Sequence, residues 1–266
     1  KMCGVKYAVA TSNGTTAGHL VMIASGISPG DEVITTPFTF FATASVIIMA
    51  GAKPVFVDVE EDGFCLDPNQ VESAITEKTK AIQPVHLYGE LADMPSLAEI
   101  SDKNNLVLIE DSAQAHSADS WDGKAGSFGN AGWFSFYPTK NMTTSEGGII
   151  TTNNEGLSSH CKVLRAHGMT AQYQHTEFGY NYRMTDISAA IGRVQLTKLD
   201  KFNSRRREIA DKYNTLLSKY VKVPENRRGH VFHQYTILCN QRDELKEHLS
   251  QKGVGSGIYY PTLLYN

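Results

Sequence analysis

The sequence predicts an α/β protein whose mostly parallel sheet is flanked by helices. In the first 110 residues, short apolar runs of strand character alternate with segments of helical periodicity. This alternation is typical of parallel strands joined by right-handed helical crossovers. The run Leu106–Ile109 consists of four consecutive apolar residues, as expected for a strand that is buried on both faces. A chain of 266 residues, 41% of them hydrophobic, can bury one large core and a smaller second one.

Five strands and four helices are expected in the first half of the chain. Residues 66–75 are predicted as a helix because Asp67 can cap its amino end and Pro68 suits the first helical position. Residues 17–25 are predicted as a helix that ends near Gly26. The remaining expected elements are helices at 44–50 and 94–103, and strands at 7–11, 31–35, 54–59, 80–85 and 106–109.

The second half is expected to complete a large domain, residues 1–203, and to add a small α+β domain, residues 204–266. The expected elements of the large domain are a strand at 133–137, a second apolar run up to Ile150, and helices at 157–164 and 185–199. The helix at 185–199 is amphipathic, and its apolar face contains Ile187, Ala190, Ile191, Val194 and Leu199. A charged helix at 201–219 leads into the small domain, where strands at 232–238 and 257–260 and a helix at 242–252 are expected.

Composition and charge argue against several classes of function. The net charge of −3 disfavours nonspecific nucleic-acid binding, which needs a basic surface. The four cysteines are far apart and form no Cys-x-x-Cys pair, so no metal site is expected, and the thiols are predicted to be reduced. The first residues lack the apolar core of a signal peptide, and no apolar run approaches the length of a membrane span. We therefore expect a cytoplasmic protein without a membrane or nucleic-acid partner.

Lys140 is the first candidate catalytic residue. It follows the aromatic run at 133–137 and Pro138, and it precedes a second apolar run, so it is expected between two core strands. Burial disfavours the ammonium form of a lysine and promotes the neutral amine, which attacks carbonyl groups. The alternative is that Lys140 merely caps a loop, which is the commoner role of a single lysine.

A second group of polar residues stands at the carboxyl end of the strand at 106–109. Glu110 and Asp111 end this strand, and Gln114 follows three positions later. Ligands of open α/β sheets bind at the carboxyl ends of strands, so Asp111 and Lys140 are expected to face one site. Such a pair is what pyridoxal phosphate (PLP) requires, because an aspartate keeps the ring nitrogen protonated and a lysine binds the aldehyde.

A phosphate site is expected where the strand at 7–11 meets the first helix. Gly14, Thr15 and Thr16 occupy this turn. Free backbone N–H groups and the helix dipole attract an anion at such a position, so we assign these three residues to the cofactor phosphate. The alternative is an ordinary Ser/Thr helix cap.

Seven motifs support this interpretation by resemblance. In chain order they are Ser12–Ala17, Pro37–Thr43, Pro84–Gly89, Glu110–His116, Phe134–Asn141, Glu146–Gly148 and Gly179–Met184. Together they resemble the PLP-dependent nucleotide-sugar aminotransferases of the DegT/DnrJ/StrS family, and the resemblance covers nearly the whole chain. It implies the fold of fold-type I PLP-dependent transferases, with PLP as the cofactor.

The resemblance also assigns roles to single residues. Phe40 matches the aromatic residue that stacks on the pyridine ring, and Ser135 matches a residue that binds the phosphate. Asn181 matches an asparagine that reaches the cofactor phosphate of the neighbouring subunit, so a homodimer with shared active sites is implied. Ser117 and Ser145 stand where the family usually has glycine, and both side chains are expected near the site. Family members extend beyond both ends of this sequence, so an incomplete small domain is expected.

The reaction implied is the transfer of an amino group from glutamate to a nucleotide-linked keto sugar. A 4-keto-6-deoxyhexose is the first choice of acceptor and a 3-keto sugar the second, in amino-sugar or cell-surface polysaccharide biosynthesis. Lys140 would carry the proton in both halves of the cycle. A related dehydratase branch of PLP-dependent sugar-modifying enzymes has histidine in place of the lysine, so Lys140 argues against it. The other alternative is a shortened, noncatalytic protein with a binding or regulatory role.

Overall fold

Seven strands form one sheet at the centre of the protein in a computed structural model that describes residues 2–265. The strands are β1 (Tyr7–Thr11), β2 (Glu32–Thr35), β3 (Lys53–Phe56), β4 (Thr79–Ile82), β5 (Val107–Asp111), β6 (Ala131–Ser135) and β7 (Gly148–Thr152). Their order across the sheet is β1-β7-β6-β5-β4-β2-β3. β7 runs antiparallel to β1 and β6, and the other neighbours are parallel. The predicted mostly parallel sheet is therefore confirmed.

Helices cover both faces of this sheet. The helices of the described residues are α1 (Gly14–Ala24), α2 (Ala42–Met49), α3 (Pro68–Val71), α4 (Met94–Lys103), α5 (Glu155–Arg165), α6 (Asp186–Leu196), α7 (Leu199–Leu217) and α8 (Arg242–Gln251). Of these, α1 to α5 pack on the sheet. Two 3-10 turns lie at Glu72–Ala74 and Leu87–Gly89, and a small hairpin consists of β8 (Met169–Ala171) and β9 (Gln174–His175). Within residues 2–265, no helix has both the length and the apolar character needed to cross a membrane.

Side-chain caps fix where several helices begin. Asp67 caps α3 and Pro68 occupies its first turn, as predicted. Asn13 and Asn154 cap α1 and α5 by accepting a backbone N–H of the first turn. Each cap satisfies a donor that the helix itself leaves free. Because of its cap, α1 begins at Gly14 rather than at the predicted residue 17.

The hydrophobic core lies on both faces of the sheet. On one face, α1, α2 and α5 pack on a cluster that includes Leu20, Val46, Ile109, Trp133, Ile150 and Leu164. Gly18 permits close contact of α1 with β6, because a Cβ atom there would lie 3.1 Å from the Trp133 ring. On the other face, α3 and α4 pack on a cluster that includes Ile34, Val71, Ile82, Leu97 and Leu108. Burial on both faces explains why the strands are apolar throughout rather than alternating.

The strand predicted at 232–238 is wrong. Phe232 has a φ of 42°, and an extended strand does not continue through a left-handed residue. The backbone N–H groups of Val231 and Gln234 donate to the carbonyls of Gly89 and Tyr88, which lie in the 3-10 turn at Leu87–Gly89. This segment is therefore paired with a loop of the large domain instead of with a strand.

The strand predicted at 257–260 is also wrong, whereas the predicted helix at 242–252 is observed as α8. The Tyr259 carbonyl accepts the hydroxyl of Tyr88, and the Leu264 N–H donates to the Pro37 carbonyl at 3.2 Å. These long-range bonds hold the segment against loops at the edge of the sheet. The boundary between domains 1–203 and 204–266 lies inside α7 and stays a prediction.

The helix predicted at 185–199 is observed as α6 and the start of α7. Thr185 caps α6 by accepting the Ser188 N–H at 3.2 Å. Leu199 begins α7 and is buried, whereas Ile187 and Val194 on α6 are exposed. The apolar face of the predicted amphipathic helix is therefore uncovered on the single chain.

Ser117 and Ser145 adopt left-handed backbone conformations, with φ of 68° and 70°. A residue with a Cβ atom is strained in this region, which glycine enters freely. This strain explains why the family usually has glycine at the positions of Ser117 and Ser145.

Replacing Ser145 by glycine is expected to stabilise the protein. Relief of the left-handed strain, about 1–2 kcal/mol, exceeds the extra backbone entropy of glycine, so Ser145→Gly should raise the free energy of unfolding by roughly 0.5–1 kcal/mol. Ser145→Ala is the matched control, because it keeps the Cβ atom and should bring no gain. Denaturant unfolding of the three proteins measures the difference, and a less stable glycine variant contradicts the assignment of strain.

Candidate active site

Asp111 is a buried carboxylate at the carboxyl end of β5, with 3% of the residue exposed. The Thr43 hydroxyl on α2 donates to Asp111 Oδ2 at 2.7 Å, and the Ala113 N–H donates to Oδ1 at 3.1 Å. Burial raises the pKa of Asp111 to about 6, although both hydrogen bonds and Lys140 act in the opposite direction. An additional cation at this carboxylate would be strongly attracted.

Lys140 ends a short turn that follows β6. Its N–H donates to the Tyr137 carbonyl at 2.9 Å, and the Tyr137 N–H donates to Ser135 Oγ at 3.3 Å. Burial lowers the pKa of Lys140, and Asp111 acts in the opposite direction. Because β5 and β6 are adjacent and parallel, the Lys140 amine and the Asp111 carboxylate both lie at the carboxyl ends of these strands.

The amino end of α1 lies against Ser135. A Cβ atom on Gly14 would lie only 2.6 Å from Ser135 Cβ, so this approach requires glycine. The Thr16 hydroxyl donates to the Asn13 carbonyl at 2.9 Å, and the Asn13 side chain accepts the Thr16 N–H at 2.9 Å. The Thr16 side chain therefore takes part in the helix cap, and binding of the cofactor phosphate by Gly14, Thr15 and Thr16 stays a prediction. The backbone of Gly14 and Thr15 and the Ser135 hydroxyl are the groups at this end of α1 that suit an anion.

Gln114 is held by two residues that sequence reasoning missed. The Tyr88 N–H donates to Gln114 Oε1 at 2.8 Å, and Gln114 Nε2 donates to the Tyr260 hydroxyl at 3.0 Å. Burial raises the pKa of Tyr260 to about 12, and Asp111 acts in the same direction. Tyr260 thus brings the C-terminal part of the chain to the site. The aromatic pair before Pro261 is the sequence signal that could have identified it.

Phe40 and Asn181 stand apart from these contacts. Phe40 is 59% exposed, in the loop before α2, and its carbonyl accepts the Thr43 N–H at 3.1 Å. Asn181 is exposed and forms a backbone bridge with Ala166 beside α5. Stacking by Phe40 and binding of a second subunit's cofactor by Asn181 stay predictions.

Glu110 is fully buried and points to the opposite side of β5 from Asp111. Its Oε1 accepts the N–H groups of Phe128 and Gly129 at 2.8 and 2.9 Å. Its Oε2 accepts the Gly126 N–H at 2.7 Å. Glu110 therefore organises the turn at 126–129 and is a structural carboxylate.

His86 completes the surroundings of Glu110. Its Nδ1 accepts the Ala92 N–H at 3.2 Å, which leaves the ring proton on Nε2. Nε2 then donates to Glu110 Oε2 at 3.0 Å. Both ring nitrogens are engaged by protein groups, so His86 has a structural role.

Comparison with known proteins adds the identity of the fold and of the reaction. The model of the DegT/DnrJ/EryC1/StrS aminotransferase family matches residues 1–266. The chain belongs to this family. A pleiotropic regulatory protein of Geobacillus stearothermophilus is 47% identical, over 98% of this chain and 72% of that protein. GDP-perosamine synthase of Escherichia coli O157:H7 is 42% identical, over 97% of this chain and 73% of the enzyme. The UDP-N-acetyl-3-dehydro-alpha-D-glucosamine 3-aminotransferase of Acidithiobacillus ferrooxidans is 42% identical, over 98% of this chain and 72% of the enzyme.

Solved structures of DegT-family proteins share the whole fold. A DegT DnrJ EryC1 StrS aminotransferase of Brucella abortus superimposes with a TM-score of 0.96 at 36% identity, covering 99% of this chain and 74% of the other. NtdA of Bacillus subtilis, with bound cofactor PMP, superimposes with a TM-score of 0.92 at 34% identity, covering 98% and 62%. The predicted fold-type I architecture is confirmed.

PLP is the cofactor of the DegT family, and the residues of this chain fit it. Because residue 14 has no Cβ atom, which would lie 2.6 Å from Ser135 Cβ, the amino end of α1 and Ser135 lie directly beside each other. There the phosphate would be held, while Asp111 would meet the ring nitrogen and Lys140 the aldehyde. When bound, the cofactor supplies an electron sink for the carbon that loses a proton. Family membership and the relatives named above confirm the prediction of a PLP-dependent sugar aminotransferase.

Replacing the two neighbouring carboxylates by amides is expected to have opposite effects on stability. In Glu110→Gln, the new NH2 group cannot accept a hydrogen bond, and in either orientation it faces backbone N–H donors. The free energy of unfolding should therefore fall by about 2–4 kcal/mol. In Asp111→Asn, the Thr43 hydroxyl can turn to accept the new N–H.

The Asp111 effect depends on pH. Its folded pKa, about 6, lies above its ordinary value of 3.8, so the cofactor-free protein loses stability as the pH rises from about 4 through 6. Asp111→Asn removes this loss and should be the more stable protein at pH 8 but not at pH 4. Denaturant unfolding at both pH values measures the two effects, and equal destabilisation by both amides at pH 8 contradicts the assignment.

Proposed function

We propose that the protein transfers the amino group of glutamate to a nucleotide-linked keto sugar, with Lys140 and Asp111 as its catalytic residues. One observation carries the proposal: a lysine of lowered pKa and a buried carboxylate lie together at the carboxyl ends of the adjacent strands β5 and β6. Family membership supports the reaction type. The product would enter amino-sugar or cell-surface polysaccharide biosynthesis. We propose a cytoplasmic location, where the free thiols of the chain would stay reduced.

Lys140 is the proposed proton carrier. Burial lowers the pKa of Lys140 and so favours the neutral form of its amine once it is released from the cofactor. It can then accept the α proton of the amino donor and return it to a neighbouring carbon. Asp111 would hold a proton on the ring nitrogen of the bound cofactor, and Thr43 and Ala113 keep the two carboxylate oxygens of Asp111 in place.

The proposed acceptor is a nucleotide-linked 4-keto-6-deoxyhexose, with a 3-keto sugar as the second choice. The relatives named as GDP-perosamine synthase and as a UDP-sugar 3-aminotransferase support a nucleotide sugar and differ in its identity. Incubation of each candidate keto sugar with glutamate, followed by mass spectrometry of the product, decides between the acceptors. Amination of neither sugar contradicts both choices.

A regulatory role is the second candidate function. It is favoured by one relative, 47% identical, that is named a pleiotropic regulatory protein. A noncatalytic protein would bind PLP, but its visible absorption would not change when glutamate is added. An aminotransferase would lose that absorption.

Lys140→Ala is expected to abolish amino transfer and the covalent attachment of PLP, because the substitution removes the amine that is proposed to bind the aldehyde. Borohydride reduction of the PLP-loaded protein, followed by peptide mapping, should place the label on Lys140. Lys246→Ala, at an exposed position of α8, is the control and should keep the label and the activity. A label on another lysine contradicts the assignment.

We further propose a homodimer in which Asn181 completes the site of the second subunit. Asn181 stands shortly before α6, on which Ile187 is 77% exposed and Val194 is also exposed. A second copy that covers this apolar face would come close to Asn181. The helix and the asparagine would then act together in assembling the shared site.

Mixing two defective variants should restore activity if the sites are shared. In a dimer of one Lys140→Ala and one Asn181→Ala subunit, one site carries both changes and the other carries neither. Random pairing makes half of the dimers mixed, and each mixed dimer has one intact site. About a quarter of all sites should therefore be intact on coexpression. The activity of coexpressed subunits, compared with each variant alone, is the measurement. Activity no higher than the mean of the two variants rules out sharing through Asn181.

A further inference from the structure

The side chain of Asn141, the residue after Lys140, uses its whole amide in buried hydrogen bonds. Asn141 is 3% exposed. Its Nδ2 donates to Asn203 Oδ1 at 2.8 Å and to the Val231 carbonyl at 3.0 Å, and its Oδ1 accepts from His233 Nδ1 at 3.2 Å. Because both N–H groups and the oxygen are engaged, the amide has one orientation, and the backbone beside Lys140 is held in place.

Asn203, near the start of α7, connects this amide with the opposite side of the site. It is 2% exposed, and its Nδ2 donates to the His116 carbonyl at 2.9 Å. His116 Nε2 donates to the Ser135 carbonyl at 2.8 Å. Ser135 ends β6, from which the chain turns to Lys140 and Asn141. The bonds therefore form a closed path around the turn that carries the amine, and Asn203 closes it.

Burial favours the neutral form of His116, which lies on this path, and of His233, which binds Asn141. Burial lowers the pKa of His116 to about 3 and that of His233 to about 2, and Lys140 acts in the same direction on both. Arg206, one turn after Asn203, donates to the carbonyls of Phe232 and His233 at 3.0 and 3.1 Å. α7 thus holds both the Asn141 amide and the segment that supplies its other partners.

We propose that Asn203 is a positioning residue for Lys140: by bridging Asn141 and His116, it fixes the place of the amine relative to Asp111. The inference rests on the proposed role of Lys140. Without the Asn203 amide, one N–H of Asn141 and the His116 carbonyl lose their buried partners, and the turn can relax toward other ones. A displacement of about 1 Å at a reacting group costs up to about a hundredfold in rate. A purely structural Asn203 would affect stability alone.

Asn214 offers a matched control on the same helix. Its Nδ2 donates to the Pro224 carbonyl at 3.3 Å, and its Oδ1 accepts the Tyr235 hydroxyl at 2.6 Å. Asn203 and Asn214 both donate one hydrogen bond through Nδ2 and accept one through Oδ1. Replacement of either residue by alanine therefore removes one donor and one acceptor from α7. The partners of Asn214 all follow α7 in the chain, whereas those of Asn203 flank the Lys140 turn.

The test compares PLP-loaded unaltered protein, Asn203→Ala and Asn214→Ala. Two measurements besides turnover report on Lys140: the rate at which PLP leaves on dialysis, and the pH midpoint of the visible absorption of the lysine-bound cofactor. In Asn203→Ala, we expect PLP to leave about tenfold faster and the midpoint to shift by about half a pH unit or more. In Asn214→Ala, both measurements should match those of the unaltered protein, although its melting temperature falls.

Equal release rates and equal midpoints in the two variants overturn the inference, because Asn203 would then only support the fold. If Asn203→Ala does not fold, Asn203→Ser is measured instead, since its hydroxyl leaves a polar group in the cavity, and the same comparison decides. The unaltered protein separates the two proposals. Absence of covalent PLP at Lys140 there defeats the proposed function and the inference with it, whereas covalent PLP with unchanged variants defeats the inference alone.

Discussion

Two buried carboxylates on consecutive residues of β5 set the constraint on which the rest of the structure depends. A buried carboxylate needs compensation, and the pleat of the strand sends Glu110 and Asp111 to opposite sides, so each requires its own partners. Glu110 receives three backbone N–H groups and His86. Asp111 receives one hydroxyl and one N–H, and its pKa remains raised. Because hydrogen bonds satisfy both oxygens of Glu110, this carboxylate has a structural role. Asp111 accepts fewer hydrogen bonds, so its carboxylate can still attract a cationic ring.

Residues from the C-terminal part of the chain support the side chains that follow β5 and Lys140. Gln114 follows β5, yet its amide is held by Tyr260. Asn141 follows Lys140, yet its amide is held by Asn203 and by the segment at 231–233. A boundary after residue 203, predicted from sequence, would therefore divide the chain at a residue that belongs to the hydrogen-bond path around Lys140. The position of α7 and the position of the Lys140 amine therefore depend on the same hydrogen bonds.

Sequence reasoning succeeded where the determining interactions are local. The strand at 7–11 and the helix at 94–103 match β1 and α4, because hydrophobic periodicity and caps act over a few residues. It failed at 232–238, where backbone N–H groups in and next to the segment donate to the distant 3-10 turn of Tyr88 and Gly89. It also missed Thr43 and Tyr260, whose partners lie 68 and 146 positions away in the chain. No local pattern encodes such pairs, and only the Lys140–Asp111 combination had chemistry specific enough to be expected together.

α6 poses a physical problem that the single chain does not solve. Most of the stability of a short helix comes from packing of its apolar face, yet none of the residues of α6 is buried. The Thr185 cap and the connection to α7 fix its ends and leave Ile187 and Val194 in water. Because Asn181 precedes this helix in the same segment, a contact that buries α6 against a second copy would also fix Asn181. Dimerisation and completion of the cofactor site would then be the same event, and an isolated subunit would lack both the stability of α6 and one phosphate ligand.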